Sequence, residues 1–381
     1  MYKFILFVFL LFPQLSMCAD NLVLITIDGV RWQEVFSGID KDLMKHPEFS
    51  KKSKQLEKRF WSENESKRVE KLMPFISKKI AEQGSMIGDR RNGSYMSVSN
   101  PWYFSYPGYS EIFTGVVNES INSNKAINNP QINFLEWLNR QPKYGSKLAV
   151  FGSWDLYPYI FNSDRSKLHV NSGFTPAKGY PLTNEALLLN QLQEEIPSPW
   201  HNVRHDSFTY RYAMDYLQVV KPKVIVIAFG ETDDFAHEGK YDEYIMAINR
   251  TDKMIASLWK IIQSTEGYAN NTHLVITTDH GRGGTISDWK HHASVEATKG
   301  YLNGLKKFPQ GIIGSENTWL AAIGPKIKSQ GLLKSNKEFK HVQIASTVLR
   351  LLQEDPLEFQ KEGGLVIEEL IQIEIGLGVS R

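Results

Sequence analysis

Cysteine is almost absent from this chain: its 381 residues contain one, Cys18. One thiol makes no intrachain disulfide and no thiolate cluster, so any bound metal must rely on nitrogen and oxygen ligands. Charge of one sign is missing too. Lysine and arginine number 44 against 42 aspartates and glutamates, a formal net charge of +2, and no basic block breaks the balance. That leaves no signal for nucleic-acid binding or for a polybasic membrane anchor. Repeats and low-complexity tracts are absent, and no linker cuts the chain in two. With 41% hydrophobic and 12% aromatic residues, the composition predicts a well-cored globular protein, read as one domain over 20–381.

Long apolar runs are scarce. The one from Phe4 to Phe12 follows Lys3 and precedes Pro13 and a small-residue stretch ending near Ala19. That is the layout of a secretory signal over 1–19, too short to span a bilayer comfortably. The expectation is an exported protein, secreted or periplasmic, with no membrane span after signal removal. A lipid anchor at Cys18 is disfavoured by Met17, where a small residue is needed. Asn64, Asn92, Asn118, Asn249 and Asn270 each begin an N-x-Ser/Thr sequon, which matters only in a glycosylating host.

What is present is a set of short apolar runs that end in hard ligands: LVLITI before Asp28, VIVIAFGET before Asp233, and LVITT before Asp279 and His280. Continuous runs of this kind read as parallel strands buried on both faces. Further strands are expected at 147–152 and 319–323, helices at 73–84, 134–139, 241–264 and 342–352, and a turn passing into a helix over 101–114. Strands alternating with helices predict an α/β fold with a mainly parallel sheet. The Lys/Glu/Ser-rich stretch 41–71 reads as solvated helices or loops, and 295–315, with its Lys/Gly cluster, as a surface insertion.

In such sheets ligands bind beyond the carboxyl ends of the strands. Taken singly, each carboxylate there is equally a helix N-cap or turn residue; three together, two with a nearby histidine, favour a metal site. Asp233 and His237 are spaced i, i+4 and share a helix face if the segment is helical, although Asp234 competes with Asp233. Asp279 and His280 are adjacent on a post-strand turn. Imidazole and carboxylate without thiolate suit zinc, with manganese, iron or magnesium as alternatives. So many candidate ligands exceed one tetrahedral site, so two divalent ions are expected, the usual apparatus for displacement at phosphorus. Ser105, where a turn enters a helix, is the candidate nucleophile; a lone serine there is usually just an N-cap.

These motifs together resemble the alkaline phosphatase superfamily, in particular its type I phosphodiesterase/nucleotide pyrophosphatase and phosphate-monoesterase branches. The matching segments are LITIDGVRW (24–32), SYPGY (105–109), ETDDFAH (231–237) and TTDHGR (277–282). Their order and spacing extend across most of the chain after residue 20. The resemblance implies a three-layer sandwich with helices on both faces of the central sheet. It implies that Asp28, Asp279 and His280 hold one metal, with Ser105 as nucleophile and ligand, and that Asp233 and His237 hold the other. His292, with His291 as its rival, answers to the late histidine of the family, although Ala293 replaces a common glycine. Asn124 falls where relatives place an asparagine on the phosphoryl oxygen, and is otherwise an ordinary loop residue.

The resemblance thus implies phosphoric ester hydrolysis through a phosphoserine, leaning to small-molecule phosphomonoesters. Lys125, Arg282 and Lys290 are the candidate donors to a dianionic phosphoryl group. A phosphodiesterase or nucleotide pyrophosphatase is the alternative, with Trp102, Tyr103 and Phe104 as a stacking surface or simply core. A formylglycine sulfatase is disfavoured because Tyr109 stands where its motif has arginine, and a cytosolic phosphomutase because of the export signal. A binding protein on a degenerate hydrolase scaffold conflicts with the complete ligand set.

Overall fold

A computed structural model describes residues 21–372; the expected signal segment and Cys18 lie outside them. The first strand, β1 (Asn21–Ile27), is buried along its whole length. Val23, Ile25 and Ile27 enter one hydrophobic core and Leu22 and Leu24 another, as expected of a strand covered on both faces. After it come β2 (Ser85–Ile87), β3 (Tyr95–Ser97), β4 (Leu148–Gly152), β5 (His169–Ser172), β6 (Val224–Phe229), β7 (Thr272–Thr277), β8 (Leu320–Ile323), β9 (Gly331–Leu332) and β10 (Glu338–Lys340). Eight strands form one sheet in the order β5-β4-β6-β1-β7-β8-β2-β9, and β3 pairs with β10 apart from it. Only β8 runs against its neighbours β7 and β2.

One face of the sheet is covered by the helices Asp206–Val220 and Tyr241–Ser264, the other by Ser105–Thr114, Phe134–Asn139 and Gln343–Leu351. The result is the expected three-layer α/β sandwich. The strands expected from apolar runs appear as β1, β4, β6, β7 and β8, and the helix 241–264 has its expected ends. The short strands β2, β5 and β9 and the helices Asn184–Glu195 and Asp206–Val220 gave no comparable signal. No helix among the described residues is long and apolar enough to cross a membrane.

The stretch 41–71 forms the helices Lys41–Lys45, Ser53–Phe60 and Glu65–Leu72. Their charged faces meet solvent, but Leu43, Met44, Leu56, Phe60 and Leu72 are buried in the main core. Burial of each such side chain contributes roughly 1.5–3 kcal/mol, so these helices are part of the sandwich rather than wholly solvated. Segment 295–315 is also tied down. Its Ala297 and Ile312 pack with Phe104 and Ala293, which places it over the loop that precedes Ser105.

What positions the site is the adjacency of β6, β1 and β7. Ile27 pairs with Phe229 and Thr26 with Thr277, so the residues that follow these three strands emerge together at one sheet edge.

Candidate metal centre

Asp28 leaves β1 through Gly29, which has φ +60°; a Cβ there would lie 2.8 Å from both Arg282 Nε and Asp233 Oδ1. Only glycine accommodates both the left-handed backbone and the close approach. The Asp28 carbonyl accepts the Thr232 hydroxyl at 2.6 Å, and its Oδ2 accepts the Tyr109 phenol at 2.9 Å. β6 passes through Gly230 into the helix Glu231–His237, whose turn brings His237 Nε2 within 3.1 Å of Asp233 Oδ2. Beyond β7, Asp279 Oδ1 accepts the Gly29 N–H at 3.0 Å, which ties the two strand ends together.

Ser105 is the first residue of the helix Ser105–Thr114. The preceding loop is held from below. Buried Glu111 accepts the N–H groups of Ser99 and Asn100, and Asn100 Oδ1 accepts those of Trp102 and Tyr103, both at 3.0 Å. Tyr103 turns the chain with φ +58°. Ser105 Oγ then stands 3.3 Å from His280 Nε2. Asn124 Oδ1 accepts the Tyr106 N–H at 3.0 Å, which fixes the amide beside the helix start.

His280 is the hub. Its Nε2 lies 3.4 Å from Asp28 Oδ1, 3.4 Å from Asp279 Oδ2 and 3.8 Å from Asp233 Oδ1. His292 stacks on it with ring centroids 3.8 Å apart, and His237 Nε2 approaches His292 Nε2 to 3.0 Å. The tautomers follow from the carbonyls. His280 Nδ1 is 2.9 Å from Gly281 O and His292 Nδ1 is 3.2 Å from Tyr103 O. A carbonyl only accepts, so each Nδ1 carries the hydrogen and each Nε2 turns a lone pair into the cluster. Two ligand-type groupings result, Asp28–Asp279–His280 and Asp233–His280–His292, each with donor atoms within 4.8 Å of one another. They share His280, and His237 borders the second.

The electrostatics call for cations. Burial pushes Asp28 and Asp279 well above the usual carboxylate range, and nearby carboxylates add to it. Burial would raise Asp233 as well, but the Arg282 guanidinium and His237 pull it well below. Burial, with His280 alongside, drives His292 well below the usual imidazole value. Asp28 Oδ1 and Asp279 Oδ2 are buried without a hydrogen-bond partner among the described residues. Buried carboxylate oxygens left this way are costly unless protonated or bound to a cation. Three carboxylates and two imidazoles turning lone pairs inward, with His237 at their border, fit divalent ions of the zinc or manganese type.

The structure also separates the rivals. His292 faces the cluster, whereas His291 lies against the Phe308 ring at 5.7 Å, and burial lowers it to about 4. Asp234 is in neither grouping; burial, Asp233 and Asp206 push it up to about 8. Two of the three candidate phosphoryl donors are engaged elsewhere. Arg282 donates to the carbonyls of Gly29 and Lys290 and to the Asp233 carboxylate, and Lys290 Nζ sits over the Phe49 ring. Lys125 remains, exposed beside Asn124. Reasoning from motifs overlooked Tyr109 and Glu111 as supports of Asp28 and of the serine loop. The available signal was helical spacing: Tyr109 follows Ser105 by four, on the same face.

A carboxylate–imidazole cluster thus lies beyond three adjacent strands of a mostly parallel sandwich, with a serine at a helix start beside it. Residues 185–299 match the family described as the Metalloenzyme superfamily, a segment that includes Asp233, His237, Asp279, His280 and His292. No curated protein matches the chain in sequence. Among solved structures it is similar to the wild-type alkaline phosphatase PafA, with 12% identity and a TM-score of 0.57 over 93% of this chain and 99% of that one. The lipoteichoic acid synthase LtaP from Listeria monocytogenes matches with 11% identity and a TM-score of 0.53, over 89% and 73% of the two chains. A 2-O GAG sulfatase matches with 14% identity and a TM-score of 0.52, over 92% and 74%. At these identities the likeness is one of fold.

Proposed function

We propose that the chain is an exported two-metal phosphoric ester hydrolase that acts through a phosphoserine at Ser105. The observation that carries the reading is the 3.3 Å approach of Ser105 Oγ to His280 Nε2, at the point where both ligand groupings meet. Divalent ions held by Asp28, Asp279 and His280 and by Asp233, His237 and His292 would supply Lewis acidity at the phosphoryl oxygens and at the serine hydroxyl.

The chain's own residues do the rest. Ser105 Oγ forms a bond to phosphorus, the ester P–O bond breaks, and the alcohol departs with a proton. Water then attacks the phosphoserine, releasing phosphate and restoring the hydroxyl. Asn124, whose Oδ1 is held by Tyr106 N–H, has its amide N–H groups left for a phosphoryl oxygen. The start of the helix Ser105–Thr114 adds positive potential for an anion through its dipole.

Phosphomonoesters are the first substrate class, with Lys125 as the remaining mobile cation. Diesters are the second reading, favoured because Arg282 and Lys290 are engaged elsewhere. Initial rates on p-nitrophenyl phosphate and bis-p-nitrophenyl phosphate separate the two: a diester preference of about tenfold or more, some 1.4 kcal/mol in transition-state free energy, overturns the first. The reading as a whole rests on Ser105→Ala. We expect it to keep its metal and to lose both turnover and phosphoenzyme; retained turnover removes Ser105 as nucleophile.

A further inference from the structure

Two of the proposed ligands, Asp233 and His237, stand on a helix of seven residues, Glu231–His237, and not at a strand end. So short a helix has little stability of its own, and the N–H groups of its first turn need acceptors from outside. It opens at Gly230, which has no side chain to supply one. Asp206, the first residue of the helix Asp206–Val220, supplies it from 24 positions earlier in the chain. Its Oδ1 accepts the Gly230 N–H at 2.8 Å, and its Oδ2 accepts the Glu231 N–H at 3.3 Å.

The capping carboxylate is itself fixed. Asp206 Oδ1 accepts the Ser153 hydroxyl at 2.6 Å. Ser153 follows β4 directly and donates its N–H to Ala228 O in β6 at 2.9 Å, so two neighbouring strands brace the cap. Asp206 is 1% exposed and belongs to neither ligand grouping. The Glu231 side chain adds a second fastening to the same turn, lying 2.9 Å from His205 Nδ1 and accepting Arg250 Nη2 at 2.8 Å.

The two groupings are therefore held differently. Asp28 and Asp279 are joined through the Gly29 N–H at the ends of the paired strands β1 and β7. Asp233 and His237 depend on the placement of their helix, whose far end is looser: the His237 side chain is 42% exposed. Thr232 and Arg282 hold this helix against the cluster, at Asp28 O and at Asp233 O. Asp206 fixes where its first turn begins, and so the direction in which Asp233 and His237 project.

Resting on the reading of the cluster as a two-metal site, we propose that Asp206 is a positioning residue for one of the two ions. By capping the helix from another part of the chain, it sets the affinity of the position formed by Asp233, His237 and His292. The position formed by Asp28, Asp279 and His280 does not depend on it.

The test titrates zinc into chelator-stripped full-length protein against a competing chelator and counts ions per chain by mass spectrometry. The parent should take two. In Asp206→Ala the affinity for one ion should fall by about 10–100-fold, the usual effect of losing a group that orients a metal ligand, while the other ion binds as in the parent. Asp206→Asn keeps the shape and one acceptor oxygen, and should bind the affected ion more tightly than the alanine variant does. Added to His237→Ala, which already removes a ligand of that position, Asp206→Ala should cause no further loss at the ion that remains. Ser153→Ala loosens the carboxylate without removing it and should give a smaller loss confined to the same ion; it decides the matter if Asp206→Ala does not fold. Equal weakening of both ions, or of neither, overturns the proposal and leaves the two-metal reading intact, as does an asparagine variant no better than the alanine one. A parent that takes no more than one ion overturns the two-metal reading and this proposal with it.

Discussion

Gly108 lies directly beneath the backbone of Asp279: a Cβ built on Gly108 would come 2.3 Å from the Asp279 carbonyl oxygen. This contact seats the serine helix against the strand end that carries Asp279 and His280. Gly108→Ala must push the two apart. An alanine would otherwise favour the helix by about 1 kcal/mol, but overpacking costs about 1–3 kcal/mol. We expect a lower thermal midpoint and a fall in kcat on the order of a hundredfold, since misplacing a reacting group by an ångström has effects of that size. A variant as active and as stable as the parent rules out the contact as the device that positions Ser105.

Metal uptake should release protons. Asp28 and Asp279 are held well above the usual carboxylate range by burial and by neighbouring carboxylates, and a cation that binds them needs them ionised, so its uptake displaces the protons they hold. Titrating zinc into chelator-stripped protein in buffers of different ionisation enthalpy measures this directly. Uptake of one or more ions with no proton release contradicts the assignment of these carboxylates as ligands.

Neighbouring residues provide a sharp control. His292→Ala and Asp233→Asn should each lower metal content measured by mass spectrometry. His291→Ala and Asp234→Asn should leave it close to that of the parent, because neither side chain enters the cluster. Equal losses from all four would mean that the substitutions act on folding rather than on ligation.

Asp252 gives a pH test away from the site. It is fully buried and accepts the Phe75 and Ile76 N–H groups at 2.9 and 3.0 Å. Burial raises it to about 6, against about 3.9 in an unfolded chain. Below both values the folded and unfolded states are equally protonated. Between them the unfolded state has lost a proton that the folded state keeps, so stability falls as pH rises from about 4 to about 6, by on the order of 3 kcal/mol. Above pH 6 this contribution is flat. Asp252→Asn should be less stable overall, because one N–H loses its acceptor, and its stability should decline less over that window in denaturant titrations. An unchanged slope would place the Asp252 carboxyl near its ordinary value.

The legible part of this protein was the part written in continuous apolar runs. β1, β6 and β7 are buried on both faces, so their side chains had to be apolar without a break, and the polar residue ending each run stood out. β2, β5 and β9 are short and lie toward the sheet edge, where no such run is required. The helix Asp206–Val220 was obscured by its polar content: Asp206, Thr209 and Asp215 are buried in hydrogen bonds to Ser153, Arg204 and Tyr180, which broke the apolar rhythm a helix is read from. At the site, spacing brought Asp233 and His237 together but left Asp234 and His291 as rivals. Choosing between adjacent residues requires the direction of each side chain, which the preceding turn sets. Glu111 could not be found by pattern at all, because its partners are backbone N–H groups of a loop eleven or more positions earlier.

The hydrogen bond from Gly29 to Asp279 joins positions 250 residues apart, and that separation has a kinetic consequence. The two carboxylates of the first grouping, Asp28 and Asp279, lie far apart in the chain and meet only when β7 has docked beside β1. A topology dominated by such distant pairings has a high contact order and folds slowly. Metal therefore has no complete site to grip on a partly made or partly folded chain. It can reward the finished sandwich but cannot nucleate it, and resistance to unfolding should grow with metal far more than the rate of folding does.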